Sequence, residues 1–482
     1  MKVIATKICA IGGLLLALTA GPTQAAGVTV WPAPAGEELS KDFTIRVEDQ
    51  DSPVYVARVA PGEPERRWKA MDDHQHPAAF YENAAFTSFD MDRPVHVTVT
   101  CPTPIHSARV LPAALGIVPQ IQSNRLIIAL SEPRLLTVEV NGDWVHSLHI
   151  FANPPEKNIP RPDDPDVIYF GPGIHEVHHL EIGSGKTLYL AGGSVIRGVV
   201  SPDDPFTTTT RGDRHYAPVF LVRGQNVKIR GRGILDGSRC PIHARELLQI
   251  QGSKVGVEGI IFRDSSVWNL AIRRSDQVSI ENIKILGCRA NSDGIDICNS
   301  RAVTVRRCFV RTLDDLIVVK TDRGQGDSRH IVVSGCVLWN QVAHALSIGA
   351  ELRENVDDVV FTDCDVIHDT SREWTLRVFH CDSAHISNVR FSNLRIEESP
   401  RLISLWINKA VWTRDTERGH IEGVTFDHIT AVASPLKIEL RGFDPTHAIE
   451  KVVFRNVVVN GQPLTRAEVK SNAFVRNVNI EP

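Results

Sequence analysis

A short strand-like motif recurring through the second half of this chain narrows its possible folds more than any other feature. Residues 278–288, 303–308, 331–336 and 359–364 each alternate apolar and polar side chains and then reach a cysteine. The cysteines, Cys288, Cys308, Cys336 and Cys364, are separated by 20, 28 and 28 residues. Residues 386–394 and 421–429 repeat the motif without cysteine, and 227–237 and 255–262 read as earlier copies. Alternation with a period of two marks a strand buried on one face. Repeated units of ~20 to 30 residues, built from short strands and tight turns, are what a parallel β-helix produces. Its coils stack at ~4.8 Å, so equivalent residues form ladders. The four cysteines then read as one buried ladder of small thiols rather than as disulfides. No cysteine pair has zinc-site spacing, so no metal is implied.

Ahead of the repeat the pattern differs. Runs such as 95–99 and 136–140, the latter closed by a turn at Asn141-Gly142-Asp143, predict half-buried antiparallel strands of a small β-sandwich. Pro154, Pro155, Pro160, Pro162 and Pro165 then stiffen a connection and exclude a helix. At the start, Lys2 and Lys7 precede an apolar run at residues 8–18 that is too short to span a bilayer, and small residues follow at 23–26. The expected organisation is a signal peptide at 1–26, a β-sandwich at 27–153, a proline-rich linker at 154–166 and a right-handed parallel β-helix at 167–482. Such an all-β protein is expected in the periplasm or outside the cell, as a monomer free of the membrane once its leader is removed. Among 482 residues, 53 Lys and Arg face 57 Asp and Glu with no long basic run, so nucleic acid is not an expected partner.

Acidic residues recur at matching distances beyond the cysteines. Asp293 follows Cys288, Asp314 and Asp315 follow Cys308, and His344 follows Cys336 by five to eight residues. Stacked coils would bring these side chains to one patch. Carboxylates so crowded cannot all ionise, so one keeps its proton to a raised pKa, as a general acid requires at neutral pH. The others stay ionised and can activate water.

Four blocks, Asn291-Ser292-Asp293-Gly294, Asp314-Asp315, Ala343-His344-Ala345 and Arg377-Val378-Phe379, resemble a known series in order and spacing. They are similar to the Asn-Thr-Asp-Gly, Asp-Asp, Gly-His-Gly and Arg-Ile-Lys blocks of glycoside hydrolase family 28, the polygalacturonase family. Residues 231–237 and 265–268 also look like upstream blocks of that family. The resemblance implies a right-handed β-helix that hydrolyses O-glycosidic bonds of a carbohydrate with inversion and without cofactor. It implies Asp314 as general acid, Asp293 and Asp315 as positioners of the attacking water, and His344 as support for the acid's protonation. Asn291 and Arg377 would touch substrate.

Ala343 and Ala345 depart from the family's glycines, and Phe379 replaces a lysine that faces the sugar carboxylate. Specificity for galacturonate is therefore not inherited, and a neutral α-glucan or other glycan is an equal expectation. Phe379 could stack on a less charged sugar, with Trp268, Trp374, Trp406 and Trp412 extending the platform. A β-sandwich ahead of a β-helix also resembles glycoside hydrolase family 49. Residues on adjacent coils lie ~5 Å apart, a separation associated with retention, whereas the resemblance implies inversion. Two other functions fit the repeat. One is a polysaccharide lyase with Ca²⁺ on the clustered acids and Arg377 as base. The other is a non-catalytic carbohydrate-binding solenoid.

Overall fold

The computed structural model describes residues 23–25, 27–72, 80–209 and 212–481. The expected leader lies outside them, apart from the strand Thr23–Ala25. Among the described residues no helix is long and apolar enough to cross a membrane.

From Val167 to Glu481 the chain winds a single sheet of thirty strands, parallel from coil to coil except at the short hairpin Gln462–Pro463. The register shows why the period of two dictates this winding. Leu270, Ile295, Ile317, Leu346, Leu376, Ile403 and Ile438 stack in one buried ladder. Ile280, Val305, Val333, Phe361, Phe391, Phe426 and Phe454 form another. Its four phenyl rings lie nearly parallel, with centroids 4.9, 5.1 and 5.0 Å apart, so the coil rise itself sets their stacking distance. Asparagines turn several corners in the left-handed conformation they tolerate, among them Asn282 (φ 53°), Asn388 (φ 53°) and Asn456 (φ 51°).

The cysteine ladder needs one correction. Arg306, Ser334 and Thr362 are in register, so two residues on, Cys308, Cys336 and Cys364 stack as expected. Each thiol donates to the carbonyl two residues before it, at 3.2–3.5 Å. Cys288 does not join them. Leu286 pairs with Arg311, which places Cys288 over Leu313, and both pack with Val342 against Ala60, Ala70 and Phe80. Alternation identifies the inward face of a strand, but it does not count the turn residues each coil inserts. All eight cysteines among the described residues are buried and unpaired.

The N-terminal region forms a seven-stranded and a five-stranded sheet around a core that includes Phe89, Val97, Leu126, Leu136 and Ile150. The expected antiparallel pairing holds with one exception: Glu82–Met91 runs parallel to Asp143–Asn153. This sandwich lies against the β-helix through Tyr55, Phe86 and Phe151, which pack on Ile234, Ile261, Phe309 and Trp339. Buried polar groups lock the contact. Arg232 pairs with Asp90 at 2.7 Å. Arg311 donates to Ser147 Oγ at 2.9 Å and to the Val145 carbonyl at 3.2 Å, with its guanidinium carbon 3.6 Å from the Trp339 ring centroid. Burial pushes Arg311 down to about 9.

Phe391 has a ring on each side and is completely buried. Phe391→Ala should therefore lower stability by about 3–5 kcal/mol in denaturant unfolding, from lost burial and the cavity left behind. A loss below about 1 kcal/mol would show that the stack does not hold the coils together.

Candidate active site

Three successive coils deliver the acids and the histidine. Asp293, Asp315 and His344 each stand two residues before a strand: Ile295–Cys298, Ile317–Thr321 and Leu346–Leu352. The backbone rungs continue into these turns, with Gly294 N–H donating to the Asp315 carbonyl at 2.8 Å and Leu316 N–H to the His344 carbonyl at 2.9 Å. The grouping therefore holds although Cys288 is out of line, because the acids are in register with the strands that follow them. Carboxylate oxygens of Asp293, Asp314 and Asp315 lie within 4.8 Å of one another, and Asp314 is the least covered of the three. Asn291, left-handed at φ 58°, donates to Asp314 Oδ2 at 3.4 Å.

The three carboxylates do not share one environment. Burial raises Asp314 well above the carboxylate range, and the charges of Asp293 and Asp315 raise it further. Burial would also raise Asp315, but His344, Lys320 and Arg377 outweigh it and hold Asp315 below its ordinary value. His344 Nδ1 lies 2.5 Å from Asp315 Oδ1, and its Nε2 lies 2.5 Å from Arg377 Nη1. A guanidinium only donates, so Nε2 accepts, and Nδ1 carries the ring proton toward Asp315. His344 thus touches Asp315 and Arg377 rather than donating to Asp314.

Two residues that the motifs did not single out complete the cluster. The Lys320 ammonium lies 2.9 Å from Asp293 Oδ2 and 2.9 Å from the buried Asp296 Oδ1, with Nζ 4.3 Å from the Trp268 ring centroid. Burial pushes Asp293 up to about 6 despite this cation, and the Asp315 charge adds to the rise. Both were legible: Lys320 occupies an outward position on the strand following Asp315, and Asp296 an outward position on the strand following Asp293. Three clustered carboxylates could hold a metal ion, but the ammonium already supplies positive charge at Asp293 and would repel a second cation there.

The proposed sugar platform fares differently. Trp374 is 2% exposed, lying edge-on to Trp406 with the Arg401 guanidinium 5.9 Å from its ring centroid, so it cannot present a face to a sugar. Phe379 is 5% exposed because Arg377 lies across it at 4.3 Å. Trp268 and Trp406 are half-buried, and Trp412 is exposed. Glu373, absent from the motif reading, comes within 3.6 Å of Arg377 Nη1 and 3.9 Å of His344 Nε2.

Residues 225–479, more than half of the chain, match Glycosyl hydrolases family 28. The chain belongs to that family. The family is one of glycosyl hydrolases, which favours hydrolysis over the lyase and the non-catalytic solenoid. An exopolygalacturonase of Zea mays is 24% identical over 243 residues, 45% of this chain and 57% of the relative. A polygalacturonase of Chamaecyparis obtusa is 24% identical over 265 residues, 52% of this chain and 49% of its own. The chain thus spans about half the length of the curated relatives it matches. Among solved structures, Dex49A from Penicillium minioluteum aligns over 96% of this chain and 100% of its own, with a TM-score of 0.62 and 15% identity. The exopolygalacturonase from Thermotoga maritima aligns over 65% and 83%, with a TM-score of 0.52 and 18% identity. These likenesses establish the fold, and the first extends through the sandwich.

Asp293 titrates near 6 when folded, against about 4 in an unfolded chain. The folded protein therefore binds the extra proton, and stability falls as pH rises from about 4 through 6. Asp293→Asn removes that cost. Relative to the parent, its thermal midpoint should be higher at pH 7.5 than at pH 4.5. A midpoint difference that does not change with pH would contradict the raised value.

Proposed function

We propose that this family member is an exported, inverting glycosidase that cleaves a polysaccharide or oligosaccharide with three aspartates. The convergence of three carboxylates, one held protonated beside one held ionised, carries this reading. Asp314, the most accessible of the three, gives its proton to the glycosidic oxygen as the bond to the anomeric carbon breaks. Water attacks that carbon from the opposite face and loses its proton to the Asp293 and Asp315 side. Asp293 Oδ1 is buried and has no hydrogen-bond partner among the described residues, so it stands as an unsatisfied acceptor within the cluster. His344 keeps Asp315 ionised while Arg377 fixes the imidazole. Asn291 and Arg377 hold substrate. The three acids form one cluster, and among the described residues no further carboxylate joins it as a nucleophile, which favours inversion. Similarity to proteins named polygalacturonases supports a pectin-like polymer, and the lysine-flanked apolar run at residues 8–18 supports export.

The direct test is hydrolysis by the purified chain and its variants. Asp314→Asn, Asp293→Asn and Asp315→Asn should each lower the rate by about 10²–10⁴-fold with the fold retained. Proton NMR of the first products should show the inverted anomer and no unsaturated sugar. Full activity in Asp314→Asn would defeat the assignment of the acid.

His344→Ala should cost less than the aspartate variants. Without the imidazole Asp315 takes up its proton at a higher pH, so the acidic limb of the activity profile should move upward. An unmoved limb would remove His344 from this role.

A further inference from the structure

Asp296 carries a charge that the sheet itself does not require. It faces outward from the strand Ile295–Cys298 and is completely buried. The residues on its rung in the flanking coils are Ala271 and Val318, so this position accepts small apolar side chains. A buried carboxylate there costs free energy unless a cation answers it. The cation is Lys320, on the strand Ile317–Thr321 of the next coil. Its ammonium lies 2.9 Å from Asp296 Oδ1 and 2.9 Å from Asp293 Oδ2, and 4.3 Å from the Trp268 ring centroid. Asp296 has no other ion pair among the described residues, and neither has Asp293.

The ammonium thus ties a carboxylate outside the acid cluster to one inside it. It engages Oδ2 of Asp293 and leaves Oδ1 without a hydrogen-bond partner, which fixes the plane of the carboxylate from one side. The other charges acting on the pair are mostly negative: Asp314, Asp315 and Glu351. Arg273 faces Asp296 but is paired with Glu246 at 2.7 Å. Cys298, on the same rung as Lys320, is a buried thiol that stays protonated. Asp315 has His344 and Arg377 as further cations, whereas Asp293 depends on Lys320. A neighbouring cation favours the ionised form of a carboxylate, and neighbouring carboxylates oppose it. Without the ammonium, Asp293 would keep its proton to a higher pH.

We propose that Lys320 is a positioning residue for hydrolysis: anchored by Asp296 and Trp268, its ammonium orients Asp293 and keeps it ionised to receive the proton of the attacking water. The proposal rests on the hydrolase reading above and adds to it two residues outside the three-aspartate set. The ammonium keeps its own protons throughout. As the water oxygen bonds to the anomeric carbon, the water's proton goes to Asp293, and the proton of Asp314 goes to the departing glycosidic oxygen. Asp296 holds Lys320 in place and takes no part in the transfer. If Lys320 served only to answer the charge of Asp296, removing both together would leave the reaction untouched.

The test uses the full chain and the double variant Lys320→Met/Asp296→Asn, which removes the pair without leaving either charge buried alone. Reducing-sugar release is followed from pH 4 to 8 on polygalacturonate and on an uncharged α-glucan. On whichever polymer the parent hydrolyses, the double variant should lose about 10–100-fold in kcat at neutral pH, the usual size for a lost charge-assisted contact, with KM changed by less than about threefold. The acidic limb of its profile should move upward by about one pH unit or more. Lys320→Gln, which keeps a donor near both carboxylates but no charge, should move the limb the same way and serves if the double variant does not fold. Asp296→Asn leaves the ammonium to Asp293 alone and should not raise the limb. A parental kcat and an unmoved limb in the double variant, or an upward move in Asp296→Asn, would overturn the proposal. A second readout needs no substrate. The pH at which Asp293→Asn begins to raise the thermal midpoint should be higher in the Lys320→Gln background than in the parent, and an unchanged pH would count against Lys320. If the folded parent hydrolyses neither polymer nor any other glycan, the hydrolase reading falls, while the thermal comparison still decides whether Lys320 governs Asp293.

Discussion

The molecule depends on one constraint, the parallel pairing of each coil with the next at a fixed rise. Backbone hydrogen bonds impose the register, and the register decides which side chains meet. Leu270 through Ile438 form a dry ladder because each occupies the same rung as the one before. The same rungs, extended two residues upstream into the turns, bring Asp293, Asp315 and His344 together on adjacent coils. The crowding that raises Asp314 is thus a product of the fold's repeat distance.

Much of this was legible in the order of residues, for identifiable reasons. Inward ladders follow from alternation, and the acids stand out by their distance beyond the repeat cysteines, a grouping that holds because Asp293, Asp315 and His344 each precede a strand in register. The misplaced Cys288 shows where such reading stops, since the turn between Leu286 and Ile295 has its own length and faces the sandwich. Side chains on an outward face were harder to read. Phe379 alternates correctly for exposure, but Arg377 covers it, and Trp374, just before that strand, is covered by Trp406 and Arg401. Lys284 and Arg311 would be assigned to solvent by the same logic, yet the sandwich covers them completely. Lys284 donates to Asn153 and to the Asn282 carbonyl, and burial holds its pKa far below that of a free lysine.

The site separates the tasks of its acids by the company each keeps. Asp315 has a histidine, a lysine and an arginine acting on it, whereas Asp314 has mainly negative neighbours and little else to hold its charge. Lys320 is shared between Asp293 and Asp296, so it limits repulsion within the cluster without neutralising the whole. Arg377 contacts His344 and acts on Asp315 through its charge.

The seam between sandwich and β-helix has a mechanical consequence. Leu313 and Val342, next to the turns that carry Asp314 and His344, pack on Ala60, Ala70 and Phe80 of the sandwich. Gln341 reaches across to the Ala60 amide at 2.8 Å and back to the Gly287 carbonyl at 3.1 Å. Swinging one body away from the other would break these contacts and uncover Phe309 and Trp339 as well. A joint so packed and hydrogen-bonded resists hinge motion between the two bodies. The site carried on these turns is then shaped before any ligand arrives, with little left to closure.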